Sequence, residues 1–535
     1  MAFLSAIYLL FGAVISAVTV AYFRGYGMRP KSYPPGPPTL PIIGNLHQMP
    51  MTNLHLKLQE WTKQYGPIIS LKLGTQDMVV VSSDKIVRDL IDKRSAIYSG
   101  RMDVFIREFG DDLNILMRDN DEIWRRQRKM YHLRLNVNVA NKYVPYQQFE
   151  VTQLLHDILH SPLDYEHHTK RFTTSLASTI IYGWRTTSVD NPHVKSMFEL
   201  MDWWPELRGF FRNAPLWITG ISKEMERLKN LEEDLWMDLL NEAKSSIEHG
   251  SQRASKLRRF TTDMILNNGT KSGDFLSDRQ MAANAGHAFA GATDTTLNTT
   301  LGFIKAMMLH PEIQAKAQAE IDAVVGSNRM PGWSDWDNLP YIRCTMKETL
   351  RWMPSTILGG MPHRLSKTDQ YDGYTIPANA GVMINVWGIN NDENRAKNPR
   401  DFDPSRYEGD NLATGESAAL GDASKRDHFT FGSGRRICPG MHVAERSVFV
   451  TIARLLWTFK ISQPLDTNGQ PAPIGRDAVT PGFIVSPVSF LCNFTARDEK
   501  RAAMLDNEWE NCLTYLDKDQ NYTEEFYEKH FSEHL

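Results

Sequence analysis

His428-Phe-Thr-Phe-Gly-Ser-Gly-Arg-Arg-Ile-Cys-Pro-Gly440 is a glycine-loosened loop carrying one cysteine, Cys438, immediately before a helical pattern from Met441 to Phe459. Gly432 and Gly434 permit sharp turns that a side chain would resist. The cysteine falls at a helix N-terminus, where unpaired N–H groups and the helix dipole favour a thiolate. A thiolate held there suits a soft or borderline metal such as iron. The competing reading is a buried structural thiol after an ordinary loop.

Two further stretches bear on that choice. Gly286-His-Ala-Phe-Ala-Gly-Ala-Thr-Asp-Thr-Thr296 is a run of small residues inside a long helical pattern. Such residues let a flat group approach the backbone, though packing is the commoner reason for them. Gly291 and Thr295 are four apart and share one face. A threonine hydroxyl there ordinarily bonds back to the i−4 carbonyl; a local bulge would free it to donate toward dioxygen. Glu348-Thr-Leu-Arg351 places a carboxylate and a guanidinium at i,i+3 among Ile342, Met346, Leu350 and Trp352. Buried charge of this kind needs partners, and Phe402-Asp-Pro-Ser-Arg-Tyr407 supplies Arg406.

Together, in this order, the stretches resemble the cytochrome P450 family. Phe431-x-x-Gly434-x-Arg436-x-Cys438-x-Gly440 matches its haem-binding loop, with Cys438 as axial metal ligand and Phe431 and Gly440 as supporting positions. Thr295 and Asp294 match its proton-delivery pair, with one departure: Ala292 stands where glycine is commonest. Glu348, Arg351 and Arg406 match a structural network behind the haem. Trp124 and Arg128, one helical turn apart, with Arg436 and His363, match donors to the haem propionates; Arg364 is an alternative to His363. By the same resemblance His287, Ala290, Leu358 and Phe483 face a mostly apolar, substrate-binding pocket. For His287 the plainer reading is a satisfied core histidine. The implied fold is mainly α, a large helical body with a small β-rich portion and one N-terminal transmembrane helix. The implied cofactor is haem b with a cysteine thiolate, a ligation that favours O–O cleavage.

The 535 residues carry a net charge of −3, so no global basic field argues for nucleic acid. Cys344, Cys438, Cys492 and Cys512 lie far apart, without the spacing of a zinc site or a disulfide framework. Phe3 to Phe23 is free of formal charge and long enough to cross a bilayer. No Lys or Arg precedes it, while Arg24, Arg29 and Lys31 follow. That asymmetry points to an uncleaved single-pass anchor, in the endoplasmic reticulum, with the body facing the cytoplasm. The domain reading is therefore an anchor at 1–24, a basic and proline-rich hinge at 25–38, a catalytic domain at 39–500 and an acidic C-terminal tail at 501–535, docked or mobile.

Helical patterns cover Ser83 to Arg94, Glu122 to His132, Asn136 to His160, Ser222 to His249, Ser277 to His310, Pro311 to Val325 and Tyr341 to Met353. Hairpins are expected over Ile68 to Val81 and over Pro481 to Phe494, with short strands between Tyr371 and Val386. Trp203-Trp-Pro and Pro215-Leu-Trp-Ile218 suit either core packing or an edge dipping into the membrane surface. Arg125, Arg126, Lys129, Lys425, Arg426 and Arg435 suggest a basic dish that steers an acidic electron donor. No flavin or nicotinamide signature occurs, so the resemblance implies NADPH electrons delivered by a separate NADPH–haemoprotein reductase. The expected activity is insertion of one oxygen atom from O2 into a lipophilic small molecule, by hydroxylation or epoxidation. The nearest likeness is to microsomal filamentous-fungal members, such as the O-methylsterigmatocystin oxidoreductase group, and hence to secondary-metabolite biosynthesis. An oxygen-independent haem-thiolate isomerase or dehydratase, and a non-catalytic haem-binding protein, are the alternatives.

Overall fold

The computed structural model describes residues 25–102, 113–203, 221–249, 259–270, 275–466, 468–482 and 484–531. The anchor Phe3 to Phe23, Phe483 and the aromatic stretch from 204 to 218 lie outside them. Among the described residues no helix is long and apolar enough to cross a membrane.

The chain divides into two compact units. One takes Met1–Asp103, Leu358–Ile389 and Gly432–Arg436. Its framework is a five-stranded sheet in the order β1-β2-β7-β4-β3, made of β1 (Ile68–Leu73), β2 (Gln76–Val81), β3 (Gly100–Arg101), β4 (His363–Arg364) and β7 (Gly381–Ile384). The hairpin of β1 and β2 turns at Gly74, whose φ of 63° is the left-handed value such a turn needs. β2 then pairs in parallel with β7, Met78 opposite Gly381. α1 (Leu54–Tyr65) packs on this sheet, and β5 (Asp369–Tyr371) with β6 (Tyr374–Ile376) forms a separate hairpin. The proline-rich part of the stretch expected as a hinge is laid along β1. Ser70 donates to Pro34 O at 2.6 Å and through its N–H to Pro35 O at 2.8 Å. Arg29 reaches the carbonyls of Gly36 and Pro37, both at 2.8 Å. A proline-rich segment has few N–H donors of its own, so a strand edge and an arginine satisfy its carbonyls.

The second unit takes Val104–Ile357, Asn390–Phe431 and Ile437–Leu535 and holds the main core. Among the described residues its helices of eight residues or more are α2 (Glu122–Leu135), α3 (Val144–His160), α4 (Tyr165–Ile181), α5 (Pro192–Trp203), α6 (Ile221–His249), α7 (Asp278–Leu309), α8 (Pro311–Val324), α9 (Pro340–Trp352), α10 (Met441–Thr458), α11 (Glu499–Leu513) and α12 (Glu524–Phe531). α7, about 48 Å long at 1.5 Å per residue, is the axis of this unit and packs on α4, α6 and α10. Its start is set by a capping box: Gln280 N–H donates to Ser277 Oγ at 3.3 Å and Ser277 N–H to Gln280 Oε1 at 2.9 Å. Gly286 is required where α6 crosses, because a methyl there would fall inside the indole of Trp236.

Several expectations need revision. The stretch from Asn136 to His160 is broken, with short turns up to Tyr143 before α3 begins. Among the described residues the hairpin expected over Pro481 to Phe494 does not form. β9 (Asn493–Ala496) pairs instead with β8 (Phe459–Ser462), and only an isolated bridge joins Val479 to Pro487. The acidic C-terminal segment is core: Leu505, Trp509, Cys512, Tyr522, Phe526 and Phe531 are all buried.

Candidate active site

Cys438 sits where the loop hands over to α10. Its N–H donates to Phe431 O at 2.9 Å, closing the base of the loop. Gly432 and Gly434 have φ of 72° and 66°, and a Cβ on Gly434 would collide with the Ile91 carbonyl. Backbone N–H groups of Gly440 and Met441 point at the sulfur and the Arg128 guanidinium lies near; burial nevertheless raises the thiol above its usual value. Such a sulfur takes the thiolate form when a cation replaces its proton. Helix α10 is wholly buried from Glu445 to Thr458, yet half-exposed over its first turn, Met441 to Ala444.

Helix α7 shows the same interruption. Buried flanks give way at His287, Ala290, Gly291, Ala292, Asp294 and Thr295, all of which are partly or fully exposed. A Cβ built on Gly291 meets no atom within 4 Å outside its own helix. Open space along a small-residue helix face, with a thiol at the head of a helix packed on it, fits a flat metal macrocycle carrying a sulfur ligand.

On that face Thr295 Oγ1 donates to Gly291 O at 2.8 Å. α7 is continuous here, and the bulge that would free the hydroxyl is not formed. Asp294 is partly exposed as a residue, yet its carboxyl is packed against the fold and pushed up to about 6. Burial is the main cause and Asp202 adds to it, while Asn298, which donates at 3.2 Å, and Lys170 work in the opposite direction. Lys170 and Asp202 also line a solvent-open cavity of about 430 Å³, with Lys170 set 3.6 Å over the Phe198 ring. Neither was legible from the motif, being 124 and 92 residues before Asp294 in the chain.

His287 does not stand free on the pocket side. Its Nε2 is 2.8 Å from Glu232 Oε1 on α6, an oxygen that also accepts from Trp236 Nε1 at 3.3 Å. Burial works to raise the Glu232 carboxyl, but His287 overcomes it and holds the group below its usual value. The plainer expectation, a satisfied histidine, describes Nε2; Nδ1 has no partner among the described residues.

Behind the loop, Arg351 binds Glu348 through two contacts of 2.7 Å, in a pair with no solvent exposure at the carboxylate. Asp403 N–H donates to Glu348 at 2.8 Å and Arg406 Nε at 3.4 Å. Asn390, which no motif marked, ties this network to the loop. Its carbonyl accepts from Arg351 at 2.9 Å, and its Oδ1 accepts from Phe429 N–H at 3.2 Å. Next to it Thr430 Oγ1 donates to Leu350 O at 2.7 Å.

Trp124 is buried on α2, positioned by Asp121, which caps the helix by accepting the Trp124 N–H at 2.8 Å. Arg128, one turn on, donates to the carbonyl of Ile437, next to Cys438. His363 and Arg436 belong to the sheet unit. His363 Nδ1 donates to Tyr98 O at 2.8 Å, and burial, reinforced by Arg101, pushes its pKa down to about 3, so the ring is neutral. Arg436 Nε donates to Ser99 O at 3.0 Å, and Arg101 to Met361 O at 2.6 Å. Arg364 is committed elsewhere, to Arg101 O and Asn379 Oδ1. Leu358 is buried in the same unit, beside Gly359 at φ 70°. The basic dish loses one member: Arg426 is buried, donating to Leu420 O at 2.9 Å.

A family profile described as Cytochrome P450 matches residues 34–485. The chain belongs to the cytochrome P450 family. It is 40% identical over 511 residues to the cytochrome P450 monooxygenase virE of Hypocrea virens, covering 93% of this chain and 91% of that one. It is 37% identical to fogE of Aspergillus ruber, covering 93% of each. Against patI of Aspergillus clavatus the identity is 33%, over 92% of this chain and 95% of the relative. Both of these are likewise named cytochrome P450 monooxygenases. A zebra fish cytochrome P450 solved with abiraterone shares the fold, with a TM-score of 0.66 at 21% identity over 83% of this chain and all of that one. The protein is thus an oxidoreductase of the fungal cytochrome P450 monooxygenase type, and the mainly helical architecture with small sheets is that of its family.

Proposed function

We propose that this cytochrome P450 holds haem b through Cys438 and oxidises a lipophilic small molecule of fungal secondary metabolism, taking NADPH electrons from a separate reductase. The observation that carries the proposal is the pairing of Cys438, with two N–H groups trained on its sulfur, and an open small-residue face on α7. When bound, the haem supplies the redox chemistry: dioxygen, two electrons and two protons yield one oxygen in the product and one molecule of water.

The chain's own residues have three tasks. Cys438 gives up its proton to ligate the metal, and the N–H groups of Gly440 and Met441 stabilise the charge left on sulfur. Phe431 and Gly440 shape the loop around it. Asp294, with a pKa of about 6, takes a proton from solvent near neutrality, and Thr295 Oγ1 delivers one once it rotates off the Gly291 carbonyl. Trp124, Arg128, His363 and Arg436 are proposed as donors to the propionates. His287, Ala290, Leu358 and Phe483 are proposed to face substrate, His287 through Nδ1. Glu348, Arg351 and Arg406 hold the loop rather than the reactants.

The proposed domain organisation keeps residues 1–24 as a single membrane anchor in the endoplasmic reticulum, the body facing the cytoplasm; its support is the charge-free run and the Arg24, Arg29 and Lys31 that follow. The deciding experiment is the carbon-monoxide difference spectrum of the reduced protein, in wild type and Cys438→Ser. Thiolate ligation gives a red-shifted Soret band in the wild type that the variant lacks. Folded, haem-loaded wild type without that band would end the reading. Substrate-dependent NADPH and oxygen consumption with a reductase then separates a monooxygenase from an isomerase.

A further inference from the structure

Near the C-terminal end of α3, His156 and His160 lie one turn apart and share a face. Across from them stands Asp506 of α11. His160 Nε2 is 2.9 Å from Asp506 Oδ1 and His156 Nε2 is 3.7 Å from the same oxygen. One ligand atom from each residue lies within 4.8 Å of the other two. A tetrahedral zinc ion with ligands at about 2.0–2.1 Å sets them about 3.3 Å apart, and the two histidine-to-Asp506 separations, 2.9 and 3.7 Å, bracket that spacing.

The surroundings favour an ion over a simple salt bridge. The two imidazole rings are 4.5 Å apart and both turn an Nε2 towards the same Asp506 oxygen, so three donor atoms converge on one point. A divalent cation set between them would engage all three at once. His156 is held for that role: Trp509, one turn along α11, lies 5.6 Å from its ring. Its buried Nδ1 lies 3.8 Å from the Asp157 carboxylate, beyond hydrogen-bond distance, so a small turn of the ring would bring an outer carboxylate into reach. His160 and Asp506 remain accessible, leaving room for water as the fourth ligand.

We propose that His156, His160 and Asp506 form a surface zinc site that staples α11 to α3. Two imidazoles and one carboxylate are a donor set for zinc rather than for magnesium or calcium. The ion would join residues 346 positions apart in the chain, His160 and Asp506. Because such a site exists only when the C-terminal helices are docked, zinc stabilises the folded form by mass action.

The test uses the full-length haem-loaded protein in detergent, stripped with a chelator and titrated with zinc chloride. Calorimetry is expected to show one zinc per chain at this site, and the melting temperature to rise with zinc. His160→Ala and Asp506→Asn, both at accessible positions, are expected to weaken that binding at least about 100-fold, the loss of a ligand exceeding that of an outer partner. Each variant should keep the carbon-monoxide band. Zinc-edge absorption of the wild type reads the ligands directly: two imidazoles with oxygen at about 2.0–2.1 Å support the site. No saturable zinc binding, unchanged binding in both variants, or a zinc shell without imidazole would each overturn the proposal.

Discussion

At the scale of single residues, Asp294 is the group whose chemistry its surroundings alter most usefully. A carboxyl raised to about 6 is partly protonated at neutral pH. If proton supply passes through it, coupled turnover falls as pH rises above about 6, and Asp294→Asn flattens that limb while lowering coupled turnover about 100-fold. The ratio of product to NADPH consumed, measured from pH 5.5 to 8.5, checks this. Stability moves with an opposite benefit. A carboxyl whose folded value lies above its unfolded one destabilises the fold increasingly as pH rises from the ordinary aspartate value through about 6. Asp294→Asn is therefore expected to raise the melting temperature at pH 7 and to leave it nearly unchanged at pH 4. Cys438, Thr295 and Asp294 could be singled out in the sequence because the patterns around them are local. The partners that set their behaviour were not. Glu232, which holds His287, is 55 residues away in the chain, and no local pattern announces a contact across two helices.

Among elements, those with an apolar stripe could be read and those built from hydroxyl residues could not. α7, α8, α9 and α10 begin and end within a residue or two of their expected bounds. α4 escaped because its buried side chains include Thr169, Thr173, Thr174, Ser175, Ser178 and Thr179. Each can look like a turn former in sequence. In the fold Thr169 and Thr174 donate to carbonyls four residues back at 2.7 Å, so the hydroxyls satisfy themselves and can be buried. The α9 network carries a prediction of its own. Glu348→Ala leaves Arg351 buried without its carboxylate, a loss of about 3–5 kcal/mol, and loosens Asn390 and with it the loop. The expected outcome is protein that binds little haem, read as the ratio of Soret to protein absorbance. Gly286→Ala tests the crossing of α6 on α7: the methyl displaces Trp236, at a cost of about 1–3 kcal/mol, read by thermal melting with the carbon-monoxide band retained.

For the whole molecule, the C-terminal helices complete the core of the helical unit. Glu150 of α3 is fully buried, and its pKa falls to about 2: burial opposes this, but Arg185 and Arg171 prevail. Arg185 contacts it at 2.7 Å, Arg171 and the Tyr522 hydroxyl at 3.0 Å. A carboxyl lowered in the fold contributes stability that is present above the ordinary glutamate value and lost as pH falls towards 2. Melting curves between pH 7 and pH 3 are expected to show that loss, and Glu150→Gln to be destabilised at pH 7 with a shallower acid limb. Composition hid this role, since the acid-rich C-terminal segment reads as solvated. Its aromatic residues decide otherwise: Tyr522 meets Phe149 edge-on at 5.0 Å and stacks on Phe526 at 4.3 Å. This closure has a consequence in time. Tyr522 is synthesised 372 residues after Glu150. At about 5–20 residues per second, the Phe149 face of α3 and the charges beside it wait roughly 20–75 s for their cover. During that interval the nascent chain presents an aromatic surface next to an ionic cluster that still lacks its Tyr522 hydroxyl, which leaves apolar area open to association until the last helices emerge.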